Sequence, residues 1–64
     1  MSLCDYRVSR EIEAQDYPFY AIIMAAMRKA DSHNYDALRK AFPATSMELN
    51  ARYNAPGGLL DGEK

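Results

Sequence analysis

The placement of proline and glycine constrains this chain more than any other feature. The three prolines fall at Asp16-Tyr17-Pro18, Phe42-Pro43-Ala44 and Asn54-Ala55-Pro56-Gly57-Gly58, and no glycine lies between Pro18 and Pro56. Proline lacks a backbone donor and fits a helix only in its first turn. Residues 16–54 are therefore cut into helical pieces, and the expected class is all-α.

The first long helix is expected over about 17–30, with Asp16 capping the free amides and Pro18 inside the first turn. On a wheel of ~100° per residue, Phe19, Tyr20, Ile22, Ile23, Met24, Ala26, Met27 and Ala30 form one arc approaching ~200°. A single neighbouring helix cannot cover so wide an arc. Arg28 and Lys29 mark the solvent side, where Ala21 and Ala25 form a small-xxx-small pair. Asp31-Ser32-His33-Asn34 is a cluster of turn and cap formers, so a helical hairpin follows. Its second helix, over 34–42, gathers Tyr35, Leu38, Ala41 and Phe42 on one face, with Asp36, Arg39 and Lys40 opposite. A third helix is expected over 46–53, with Thr45 and Glu48 as a capping box. Its apolar residues divide between Leu49 with Tyr53 and Met47 with Ala51, and the second side is free to meet a partner.

The two ends read less simply. Tyr6, Val8 and Ile12 alternate with polar residues as in a strand, whereas Cys4, Val8 and Ile12 share the spacing of four typical of a helix. A lone strand leaves its backbone unpaired, so a short helix over 9–15 is expected within a partly ordered arm, residues 1–15. Residues 16–54 form the helical domain, and residues 55–64 read as a flexible tail.

Catalytic chemistry finds little support. His33 has no second histidine or cysteine with which to bind metal, and Cys4 has no neighbouring base. Glu11 and Glu13 stand two apart and do not converge for acid/base work. We expect no catalytic residue, no metal and no cofactor, and hence no enzyme. One cysteine also excludes an intrachain disulfide, which points to a reducing cytoplasm. The longest apolar run, Pro18 to Met27, is half of the ~20 residues that span a bilayer, and its acidic approach is wrong for a signal peptide.

The functional clue is surface. A 64-residue chain has a core commonly worth only ~3–5 kcal/mol, which makes association important. With 48% hydrophobic residues, five tyrosines and methionines at 24, 27 and 47, it has more apolar side chain than three helices can hide. The leading expectation is an interaction or regulatory module that self-associates, most simply as a homodimer, or docks on another protein. Its candidate surface is Tyr20, Ala21, Met24, Ala25, Met27, Met47 and Ala51. The alternative is a helix-turn-helix DNA reader with Phe42-Pro43-Ala44-Thr45 as its turn. Its contacts would be Arg28, Lys29, Arg39, Lys40, Ser46, Asn50 and Arg52. Five basic against three acidic residues over 17–54 is thin for phosphate neutralisation, so nucleic acid ranks second.

Overall fold

A computed structural model describes residues 1–63. Four α-helices follow one another, α1 (Leu3–Ala14), α2 (Phe19–Lys29), α3 (Ser32–Ala41) and α4 (Pro43–Tyr53), and a 3-10 turn, η1 (Pro56–Gly58), closes the chain. There is no strand among the described residues. The all-α class holds, with one long helix more than the three expected.

Helix α1 resolves the competition at the amino terminus in favour of spacing four. Its start is fixed by Ser2, whose hydroxyl accepts from the Asp5 amide at 3.1 Å, and Asp5 adds a carboxylate in the first turn. That local cap carries the helix back to residue 3, six residues before the expected start at 9. Asp16, expected to cap the next helix, instead adopts φ 58°. This left-handed residue ends α1, a conformation that Asp tolerates better than most side chains. Pro18 then stands as the cap of α2 without any side-chain bond, its carbonyl accepting from the Ile22 amide at 3.1 Å.

The starts of α3 and α4 also shift towards the amino terminus. Asp31, whose carboxylate accepts from the Asn34 amide at 2.8 Å, starts α3 at Ser32 rather than 34. Phe42 alone separates α3 from α4, because Pro43 occupies the first helical position of α4 with its φ preset for helix. Thr45 and Ser46 consequently lie inside α4, and the expected capping box does not form.

Helix α4 is central, packing on α2, α3 and η1. The core is small: Met27 and Leu49 are its buried apolar residues, with Thr45 and Ser46 buried beside them. Phe19 meets Phe42 edge to face at 6.0 Å between ring centres, which closes one end. Among the described residues α1 packs on no other helix. The radius of gyration is 13.7 Å, against about 11 Å for a compact chain of this length.

The tail is folded, contrary to expectation. Gly57 and Gly58 take φ of 63° and 70°, successive left-handed positions that suit glycine, and turn the chain back along α4. Arg52 then donates to the Gly58 carbonyl at 2.8 Å and to both oxygens of Glu63, at 2.7 and 2.9 Å. The Leu60 amide donates to the same carboxylate at 2.9 Å. Residue 64 lies outside the described residues.

Truncation of Leu49 to Ala should cost about 2–5 kcal/mol, comparable to the whole stability expected of such a core. The variant should lose cooperative thermal unfolding by circular dichroism, whereas His33→Ala should shift stability by less than ~0.5 kcal/mol. The latch predicts an acid transition. Arg52 and the Leu60 amide lower the Glu63 pKa from 4.5 to about 2, so its contribution is complete above pH 4.5 and is lost as pH falls through about 2. The Leu60 amide resonance should follow that titration, and Glu63→Gln should abolish it.

Candidate interaction surface

The residues proposed as an interaction surface do not form one patch. Met27 is 3% exposed and belongs to the core, not to the surface; Met24 is half-buried. Tyr20, Ala21, Ala25, Met47 and Ala51 are exposed. Tyr20 borders a shallow groove with Ala44, Thr45 and Glu48, while Ala25 faces α1. Met47 and Ala51, one turn apart, present the open side of α4.

The side that faces α1 was only partly foreseen. Ile12 of α1, Tyr17 of the connection, and Ile22, Ala25, Ala26 and Lys29 of α2 line an open groove of about 380 Å³ with almost no polar wall. Val8 and Ile12 are 42% and 41% exposed, although they lie on the inner stripe of an amphipathic helix. Tyr6 and Leu3 are more exposed still. The signal was the spacing of Cys4, Val8 and Ile12, which a helix beginning at 9 would have left incomplete.

The nucleic-acid candidates are dispersed and mostly engaged. Ser46, expected to reach bases, is 2% exposed and shares a hydrogen bond of 2.9 Å with the Tyr35 hydroxyl. Asn50 donates to that same hydroxyl at 3.1 Å. Arg39 and Lys40 both pair with Asp36, and Arg52 holds the tail. Arg28 lies 5.7 Å from the centre of the Tyr53 ring, and Lys29 lines the apolar groove. The expected four-residue turn is the single residue Phe42, since Pro43, Ala44 and Thr45 belong to α4. Helix-turn-helix proteins use a turn of about three or four residues.

Tyr35, Ser46 and Asn50 instead make a local polar cluster beside a cleft of about 460 Å³, also lined by Met27, Arg28, Leu49 and Tyr53. The Tyr35 pKa is lowered, first by the bond with Ser46 and then by that from Asn50, because bonds donated to the phenol oxygen favour its ionised form. Asp36 is likewise held below its ordinary value by Lys40 and then Arg39. Both effects are structural in origin. Among the described residues no group of three His, Cys, Asp or Glu converges to hold a metal, and no helix is long and apolar enough to cross a membrane. Comparison with protein-family models, curated proteins and solved structures finds no match to this chain.

Tyr35→Phe should lower the thermal midpoint by stranding the buried Ser46 hydroxyl, and Ser46→Ala in the same background should recover part of that loss. A double-mutant cycle read by thermal denaturation measures the coupling, which is absent if the two effects add.

Proposed function

We propose that this protein is a small non-enzymatic interaction module of the cytoplasm that acts as a self-associated species, most simply a two-fold dimer. The observation that carries the reading is α1, a 12-residue helix that packs on no other helix among the described residues. Helices of about 12 residues are marginal in water unless tertiary packing covers an apolar face. The surface area agrees with a missing partner. The chain exposes 5561 Å², against about 4,100 Å² for a compact 7.2 kDa protein. The surplus exceeds the ~800 Å² that each partner contributes to a standard interface.

The DNA-reading alternative has less support, since Ser46 and Asn50 serve the Tyr35 cluster and the interhelical turn is one residue. Size exclusion with light scattering at micromolar concentration should return twice the 7.2 kDa chain mass. A monomer that unfolds cooperatively at high temperature would refute self-association.

A further inference from the structure

Resting on that reading, we infer that the partner is a second copy of this chain, and that two α1 helices pair antiparallel with Val8 on the two-fold axis. At ~100° per residue, Cys4, Val8 and Ile12 fall within an arc of ~80° on α1. An antiparallel pair centred on Val8 sets Val8 against its own copy and Cys4 against Ile12 of the second copy. The stripe runs directly into the apolar groove, because Ile12 is one of its walls. Each groove then receives the amino-terminal end of the other chain, where Met1 is wholly exposed.

The charges select the same arrangement. Arg7 and Glu11 flank the stripe on one side, and with Arg10 they border a common hollow. Among the described residues Arg7, Arg10, Glu11 and Glu13 have no ion-pair partner. In an antiparallel pair like flanks meet, so Arg7 of one chain comes within two residues, about 3 Å along the axis, of Glu11 of the other. Symmetry makes the contact twice. The opposite flank is quiet, since Asp5 is occupied by Ser2 and the terminal ammonium and Ser9 bonds back to the Tyr6 carbonyl. A parallel pair would set Glu11 against the Asp5 and Ser9 flank and align the two helix dipoles unfavourably. It would also bring Cys4 against Cys4, which antiparallel pairing separates by about 12 Å.

Thiol cross-linking distinguishes these geometries. A short bis-maleimide should link two chains of the Val8→Cys, Cys4→Ser variant and leave wild-type Cys4 unlinked, while light scattering gives a dimer for both. Arg7→Glu should weaken the dimer about tenfold, and adding Glu11→Arg should restore it. A dimer linked efficiently through Cys4 makes the pair parallel and overturns the inference. So does a dimer in which the Val8→Cys thiol is not linked, which keeps self-association but moves it to another surface. A monomer in light scattering overturns both readings. Val8 lies on a helix that packs on no other among the described residues, so its replacement leaves the fold of residues 19–63 as a control by circular dichroism.

Discussion

The packing of α4 against everything but α1 is the constraint on which the rest of the structure depends. Phe42 is the only residue between α3 and α4, and Pro43 begins the new helix at once. Those two facts fix where Ser46 and Leu49 point. Leu49 completes the apolar core with Met27, while Ser46 enters the same interior as a polar group and obliges Tyr35 to supply a partner. A buried hydroxyl without that bond would cost more than the bond itself adds, so the Tyr35 cluster is a condition of the fold. Arg52, on the next turns of α4, then gathers the carboxyl end.

What α4 organises is a unit of residues 19–63, and α1 stands outside it. The two parts obey different physics. In the unit, side-chain burial determines which helices persist. In α1, order comes from the Ser2 cap, the spacing of backbone bonds and a stripe of side chains turned towards an empty groove. The left-handed Asp16 ends this helix before the connection to α2.

Much of the fold was legible because proline and glycine act locally. Pro18, Pro43 and Pro56 mark element boundaries as their chemistry demands, and the Gly57-Gly58 pair marks a reversal. The errors came from side-chain caps. Asp16 and Thr45 both have cap chemistry, but Pro18 caps α2 and Pro43 already opens α4 after Phe42, while the Asp31 carboxylate starts α3 ahead of residue 34. The interaction surface was less legible. A helical wheel ranks faces by polarity, and it cannot say which part of a wide arc the other helices will cover. Met27 therefore went inside while Ile12 stayed out, and Ser46 was paired by a tyrosine eleven residues away. Such pairings lie beyond any local pattern. No comparable sequence cue preceded the Arg52–Glu63 latch, which needs both glycines in place before the charges can meet.

The isolation of α1 has a consequence for folding kinetics. In residues 19–63 the packing joins short helices close in sequence, α2 with α3 and α4, and α4 with α3 and η1, a local topology of the kind that folds in microseconds to milliseconds. Among the described residues helix α1 packs on no other helix, so it has little by which to share that cooperativity. In the pairing proposed above, the burial of its apolar stripe is tied to an encounter between chains, so it depends on concentration while the body does not. In that pairing the two parts would exchange amide hydrogens on different clocks: the body set by its own unfolding, the amino-terminal helix by the lifetime of the complex.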